Sequence, residues 1–189
     1  MTTTLAVVTV VLGQSVPHRH ADGAGVLASL DDSGSEKMAV DRVPGVSAWS
    51  FGMRLCITTS SGAALITSIG PTVSVGTGYR FVGAAARTFK PTPSHEGIIS
   101  TDGYPPPASV VPDALQNAIG YRVTTPCNND PTSLYTELIV GLAVTSGAGG
   151  GWRGVDVTYT YNGSTYVLAI EFAILICGDA VQADCAVPG

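Results

Sequence analysis

The chain of 189 residues is poor in charge, above all in positive charge. Charged residues make up 12% of the sequence, and the nine Lys and Arg are outnumbered by fourteen Asp and Glu. The basic residues are not clustered, and the formal net charge is −5. A protein that binds nucleic acid or an anionic membrane surface needs a concentrated positive patch. The sequence therefore argues against a nucleic-acid partner and against binding to anionic lipid.

The sequence also lacks the common motifs of catalysis and metal binding. It contains no C-x-x-C pair, which disfavours a structural zinc site, and no G-x-S-x-G nucleophile elbow. Of its three histidines, His18 and His20 fall near the N-terminus and only His95 falls in the predicted domain. His18 and His20 could bind a metal weakly, but exposed polar residues are the simpler interpretation. We expect no cofactor.

Cysteine is present as an even set of four, Cys56, Cys127, Cys177 and Cys185. In a chain with the character of an exported protein, such a set is typical of two disulfides. Cys177 and Cys185 enclose a short loop that closes easily after a strand, and Cys56 would then pair with Cys127 by elimination. Four cysteines allow three pairings, and the sequence does not choose among them.

The clearest structural signal is a β-hairpin within residues 152–177. Asn162 and Gly163 lie between two alternating runs, and a type I′ turn needs positive φ at both of its central residues. A loop of two residues fixes the register of the strands. The predicted pairs are Tyr161 with Ser164, Tyr159 with Tyr166, Val157 with Leu168, Val155 with Ile170, Thr160 with Thr165, Thr158 with Val167 and Asp156 with Ala169.

Other short alternating segments, separated by turn residues, predict the fold class. Residues 47–59 place five large apolar side chains on one face, and residues 134–144 alternate similarly. Residues 91–113 are rich in proline and are expected to form an irregular connection, and residues 146–151, SGAGGG, a flexible one. About seven strands without a long helix predict an all-β, antiparallel, immunoglobulin-like sandwich over residues 46–189.

Residues 1–45 are predicted to lie outside this domain. The apolar run Leu5 to Gly13 is too short to span a bilayer and lacks a basic flank. We favour its interpretation as the remnant of an export signal or membrane anchor over a first strand. Residues 14–45, rich in Gly, Ala, Ser and Asp, predict a disordered, solvated linker. The expected location is extracellular or at the cell envelope, with a membrane tether through the N-terminal segment as one form of it.

Three local motifs carry a resemblance. Phe51 is followed by Leu55 and Cys56, Pro126-Cys127 precedes a strand that bears Glu137, and an apolar strand ends in Cys177. Over most of residues 47–185 the chain resembles small exported proteins of actinobacteria that have no assigned activity. The resemblance implies export and a sandwich fold, and it carries over no catalytic or binding residue.

Two sets of residues are candidates for catalysis. Glu137 and Glu171 lie in predicted strands, and a glycosidase uses such a pair of carboxylates if the strands are neighbours. Bonds from these glutamates to Thr, Arg54 or Arg153 at a sheet surface are the plainer interpretation. His95 with a serine would suit a hydrolase, and a surface histidine is the alternative.

Binding residues are suggested by one turn and one aromatic group. The turn Asn128, Asn129 and Asp130 could supply oxygen ligands for a calcium site. Asp179 and Asp184, near Cys185, could complete that site. Asn and Asp also occupy turns for backbone reasons alone, so we predict no metal site. Tyr159, Tyr161 and Tyr166 cluster at the hairpin tip, where exposed rings could stack on sugars or anchor a partner.

The sequence thus supports three functions. The first is an exported, disulfide-stabilised, non-enzymatic module that binds a protein or glycan partner at the cell envelope. The second is an exported hydrolase of cell-wall or polysaccharide substrates. The third is a structural surface or assembly subunit.

Overall fold

The computed structural model describes residues 18–21, 25–30, 36–92, 97, 100–112, 114–128 and 133–185. These residues form fifteen strands and one short helix. The elements in chain order are β1 (His18–Ala21), β2 (Leu27–Ser29), β3 (Glu36–Val40), β4 (Ala48–Ile57), β5 (Ala64–Pro71), β6 (Ser74–Gly76), β7 (Tyr79–Phe89), β8 (Ser100–Asp102), β9 (Gln116–Asn117), β10 (Arg122–Val123), β11 (Tyr135–Val144), β12 (Gly150–Trp152), β13 (Val155–Tyr161), β14 (Ser164–Ile170), β15 (Phe172–Ile176) and α1 (Gln182–Cys185).

The strands form three sheets, and most neighbouring strands are antiparallel. Sheet A has the order β1-β14-β13-β5-β10, sheet B the order β2-β4-β11-β7-β9 with β8 paired to β4, and sheet C the order β3-β15-β12-β6. The pairs β1 with β14 and β3 with β15 are parallel. The predicted all-β class is confirmed. The predicted immunoglobulin-like sandwich of about seven strands is wrong.

The third sheet arises because sheets A and C are one layer bent at a corner. β14, β13 and β5 lie side by side in sheet A, and their continuations β15, β12 and β6 lie side by side in sheet C. Hydrogen bonds cross the corner: Thr72 N donates to Gly154 O at 2.9 Å, and Arg153 N donates to Val73 O at 2.9 Å. Strands that pass from one sheet to another in this way form the corners of β-sandwiches.

The predicted hairpin is confirmed, and its two long strands both bend at this corner. All seven predicted pairs occur, from Val155 with Ile170 to Tyr161 with Ser164. The turn is formed by Asn162, with φ of 48°, and Gly163, with φ of 80°. On the side toward sheet C, the first strand is interrupted at residues 153–154 and the second at Glu171.

A single cluster of buried side chains joins the three sheets. The apolar face of β4 predicted from the sequence contributes Phe51, Met53, Leu55 and Ile57 to the cluster, and β11 contributes Leu138, Val140 and Leu142. Trp152 of β12 is fully buried and makes edge contacts with the rings of Tyr79 and Phe81. The core therefore lies between sheet B and the bent layer.

Parts of the predicted linker belong to the sheets. β2 pairs with β4, β3 pairs with β15, and Leu27 is fully buried in the core. The amide of Leu27 donates to the hydroxyl of Tyr159 at 3.3 Å. Residues 27–29 and 36–40 therefore do not form a solvated linker, because each of these segments adds a strand to a sheet. The run Leu5 to Gly13 lies outside the described residues.

The glycine-rich segment 146–151 is tightly packed where a flexible connection was predicted. Gly149, Gly150 and Gly151 are buried, and the last two belong to β12. A Cβ atom on Gly149 would collide with the backbone of Gly178, and one on Gly78 would collide with the backbone of Gly149. Glycine is needed here because two backbones approach each other closely. Close packing, and not flexibility, therefore explains why this segment is rich in glycine.

The described parts of the proline-rich connection cover the outer face of sheet B. β8 pairs with β4, the ring of Tyr104 lies against Gly141, and Val111 packs with Ile139 of β11. The first eight residues of β11 are all buried as a result. This strand is therefore covered on both faces, by the core and by the connection.

The structure contains two disulfides, in the one of the three possible pairings that the sequence analysis suggested. Cys56 is bonded to Cys127, with Cα atoms 4.8 Å apart, and Cys177 is bonded to Cys185, with Cα atoms 5.8 Å apart. The first ties residues 125–127 to the end of β4, where Cys127 N also donates to Ile57 O. The second ties α1 to the end of β15.

No helix in the described ranges has the length and apolar character needed to cross a membrane.

Candidate functional site

A groove of about 610 Å³ lies on the outer side of the corner between sheets A and C. Its volume falls in the range of ligand-binding sites in proteins. It is lined by Lys37, Thr72, Val73, Arg153, Gly154, Ala169, Ile170, Glu171, Ala173, Leu175, Ala183 and Asp184.

The floor of the groove follows from the alternation of side chains along β14 and β15. The core cluster contains every second residue here, namely Leu168, Ile170, Phe172, Ile174 and Ile176, so the residues that alternate with them point outward. Ala169 and Ala173 are the outward residues near the corner, and their small side chains leave space above the sheet. The result is a shallow aliphatic floor, to which the exposed side chain of Val73 adds from the neighbouring strand connection.

One wall of the groove is the α1 segment, which several contacts hold against sheet C. Arg153 Nη2 donates to Asp184 Oδ1 at 3.0 Å, and Lys37 Nζ donates to the backbone carbonyl of Asp184 at 2.7 Å. Val181, just before α1, is buried against Gly76. Together with the adjacent disulfide, these contacts fix the position of the wall.

The described lining of the groove holds two cations, Lys37 and Arg153, and two carboxylates, Glu171 and Asp184. Arg153 pairs with the carboxylate of Asp184, whereas Lys37 donates to the backbone carbonyl of Asp184. Glu171 is exposed at the corner, and its side chain makes no hydrogen bond or ion pair with any other residue that the structure describes. A ligand therefore meets an aliphatic floor beside a carboxylate, that of Glu171, which has no ion-pair partner among the described residues.

The structure does not bring the two candidate carboxylates together. Glu137 lies in sheet B, where its Oε2 accepts a hydrogen bond from Arg87 Nε at 2.6 Å. The side chains of this pair are only 1% and 2% exposed. Glu171 lies in the bent layer, on the side away from the core. The pair expected for a glycosidase is therefore not formed by these two residues.

The residues considered for a calcium site do not form a cluster either. Asp184 is bound to Arg153, and Asp179 is exposed without lining the groove. Over the described ranges, no group of three or more His, Cys, Asp and Glu side chains is placed to hold a metal ion. Asn129 and Asp130, like His95, fall outside the described residues, and Asn128 lies in the loop after Cys127.

The three tyrosines at the hairpin tip serve packing instead of forming an exposed platform. Tyr159 is fully buried and stacks on Tyr166, with ring centroids 5.4 Å apart. Burial raises the pKa of Tyr159, an effect opposed by hydrogen bonds from the backbone of Leu27 and Val26. Tyr161 donates its hydroxyl to Ser61 O at 3.2 Å, which closes the hairpin against a neighbouring turn.

Sequence reasoning missed most of the groove. Lys37 lies in the segment predicted to be a linker, and Arg153 was considered only as a surface partner for a glutamate. The one signal in the sequence was Glu171, a charged residue between two apolar runs in a predicted strand.

No protein-family model matches the chain, and no curated protein matches it.

Proposed function

We propose that this protein is an exported, disulfide-stabilised β-sandwich module that binds an extended segment of a partner protein in the corner groove. It acts by binding and catalyses no reaction. The observation that carries this proposal is the aliphatic floor beside the carboxylate of Glu171, which is exposed and has no ion-pair partner among the described residues. The matching ligand places an apolar side chain on the floor and a Lys or Arg side chain against Glu171.

The chemistry of the lining favours a protein over a glycan. No aromatic ring occurs among the described residues that line the groove, so sugars would find no ring to stack on. Arg153 pairs with the carboxylate of Asp184 and Lys37 donates to the backbone carbonyl of Asp184, so neither cation contacts Glu171. A basic segment with apolar residues at alternate positions fits the charge and the floor, because alternate side chains of an extended chain point the same way.

Two features support a binding role over the hydrolase alternative. A glycosidase needs two carboxyl groups within about 5–10 Å of each other on either side of the scissile bond. Glu137 is buried and ion-paired in sheet B, whereas Glu171 is exposed in the bent layer. Among the described lining residues, the only other carboxylate is that of Asp184, which is held by Arg153.

The proposed extracellular or envelope location is supported by the cysteines. All four are in disulfides, and disulfides persist in oxidising compartments. The resemblance to exported actinobacterial proteins agrees with this location. A non-reducing peptide map of protein secreted by its native host tests it, with two bridges and a processed N-terminus as the expected result. Free thiols on an unprocessed chain would overturn it.

Binding is tested with a fluorescein-labelled octapeptide of alternating Val and Lys, followed by fluorescence anisotropy. We expect saturable binding that weakens in high salt, since exposed charge pairs are screened. Glu171→Gln is expected to weaken binding about threefold to tenfold, and Val73→Ser is expected to weaken it as well. Asp41→Asn and Val43→Ser are the matched controls, because both residues are exposed and lie outside the groove.

Two results would contradict the proposal. The first is equal binding of a peptide of alternating Val and Glu, which would remove the role of Glu171. The second is release of reducing sugar ends from isolated cell-wall polysaccharide by the wild-type protein and not by Glu171→Gln. That result would establish the hydrolase instead.

A further inference from the structure

A second groove, of about 560 Å³, lies beside the edge of sheet B and shares no described lining residue with the corner groove. It is lined by Ile69, Phe81, Val82, Gly83, Ala84, Ala85, Tyr104, Pro105, Leu115, Gln116, Asn117 and Ile119. None of these side chains carries a charge. The two grooves therefore differ in charge: the corner groove is lined in part by charged side chains, and the described lining of the second groove has none.

The position of Tyr104 in this groove is set by two glycines. A Cβ atom on Gly141 would collide with the ring of Tyr104, so the missing side chain is what admits the ring. The hydroxyl lies over Gly83, whose φ of 141° lies in the region that favours glycine. Because Tyr104 and Gly83 both line the groove, the hydroxyl of Tyr104 forms part of its lining.

The hydroxyl of Tyr104 is available to a ligand. It makes no hydrogen bond with any residue in the described part of the chain. Burial raises the pKa of Tyr104, so the phenol is neutral and keeps its proton to donate at physiological pH. Gln116 is exposed, and its side-chain amide likewise makes no hydrogen bond with the described residues.

We propose that this second groove binds a small, uncharged, largely apolar molecule that accepts a hydrogen bond from the hydroxyl of Tyr104. A charged ligand would lose its hydration without gaining an ionic partner among the described lining residues, none of which is charged. An apolar pocket with one or two placed polar groups is the usual form of a small-molecule site, and this volume is of the usual size.

The surroundings of the groove favour a small molecule over a protein partner. A stable protein interface buries about 800 Å² on each side and is marked by a broad apolar patch. Of the four exposed large apolar residues in the described ranges, Val43, Val73, Ile119 and Leu134, only Ile119 lies at this groove. Among the described residues, no broad patch of exposed large apolar side chains surrounds the groove.

The test uses Prodan, a neutral fluorescent naphthalene with one carbonyl acceptor, whose emission shifts to the blue in apolar sites. We expect saturable binding to the wild-type protein. Tyr104→Phe removes only the hydroxyl and should weaken binding about threefold to tenfold, the loss of one hydrogen bond. Ile119→Glu places a charge at the rim and should weaken binding about tenfold or more. Leu134→Glu is the matched control, since Leu134 is similarly exposed and lines neither groove.

Three outcomes would overturn the proposal. Equal affinity of wild type, Tyr104→Phe and Ile119→Glu would place the probe elsewhere. Equal loss of binding in Leu134→Glu would show a general effect of added charge. Analytical ultracentrifugation that finds a dimer of the wild type and a monomer of Ile119→Glu would assign the groove to a second copy of this chain. Glu171→Gln is expected to leave Prodan binding unchanged, so failure here is distinct from failure at the corner groove.

Discussion

Arg87 and Glu137 form a buried ion pair between adjacent strands on the outer face of sheet B, with Arg87 Nε 2.6 Å from Glu137 Oε2. Glu137 lies opposite Arg87 of β7 on one side and opposite Arg54 of β4 on the other. A Cβ atom on Gly97 would lie 2.8 Å from Glu137 Oε1, so the covering connection passes directly over the carboxylate. One carboxylate thus lies between two arginines in a site that is closed to water.

Replacement of Glu137 by Leu is expected to destabilise the protein by about 3–5 kcal/mol, because it leaves the buried Arg87 without its carboxylate. Arg87→Met should cost less, since Glu137 keeps Arg54 as its other cross-strand neighbour. Urea unfolding followed by tryptophan fluorescence measures both.

The double variant Arg87→Met with Glu137→Leu should recover most of the loss, as expected when apolar residues replace a whole buried pair. Asp184→Asn breaks the exposed pair with Arg153, whose side chains are 63% and 38% exposed, and should cost less than about 1 kcal/mol. Similar losses for Glu137→Leu and Asp184→Asn would show that burial of the first pair is unimportant.

The two disulfides are expected to have separate effects on stability and on binding. Cys56 and Cys127 are 71 residues apart, whereas Cys177 and Cys185 are 8 apart. Loop entropy predicts about 4 kcal/mol for the first bridge and about 2.5 kcal/mol for the second. Replacing the second pair by alanine should nevertheless weaken binding of the Val-Lys peptide more, because this bridge holds the α1 wall of the groove. Reversed effects on binding would contradict the assigned site.

Local features of the fold were predictable from the sequence, because local chemistry determines them. Asn162 and Gly163 fix the hairpin register through their turn, and the alternation around Met53 defines β4. The bend at Glu171 was not predictable in this way. Ile170 and Phe172 both point into the core and Glu171 is exposed. The alternation of buried and exposed side chains therefore continues through the corner, and the sequence has the pattern of one uninterrupted strand.

The corner groove was missed because it depends on contacts between residues distant in sequence. Lys37 and Asp184 are 147 residues apart, and Lys37 belongs to a strand without sustained apolar alternation. Strands of two or three residues, such as β8 and β9, have too few positions to show a period. They form because sheet B offers them an edge.

The raised pKa of Tyr159 predicts a loss of stability at alkaline pH. Burial favours the neutral phenol in the folded protein, so above a pH of about 10 the unfolded chain loses a proton that the folded chain keeps. The unfolded state then binds fewer protons, and the free energy of unfolding falls as the pH rises through this range. Tyr104 contributes in the same direction.

This pH dependence is measured by urea unfolding at a series of pH values from 8 upward, at a fixed salt concentration. The double variant Tyr159→Phe with Tyr104→Phe should show a shallower decline above a pH of about 10 than the wild type, because two of the protons that couple folding to pH are gone. An equally steep decline in this variant would assign the alkaline sensitivity to other groups.

Gly141 and Gly70 provide a matched test of how the proline-rich connection is attached to sheet B. Both are strand glycines without positive φ, but a Cβ atom on Gly141 would collide with the ring of Tyr104, whereas one on Gly70 would meet nothing within 4 Å. Gly141→Ala should therefore cost about 1–3 kcal/mol through overpacking, and Gly70→Ala should be nearly neutral. In a Tyr104→Ala background the cost of Gly141→Ala should largely disappear, because residues in contact are not additive. Additive losses in urea unfolding would mean that the ring does not hold the connection against β11.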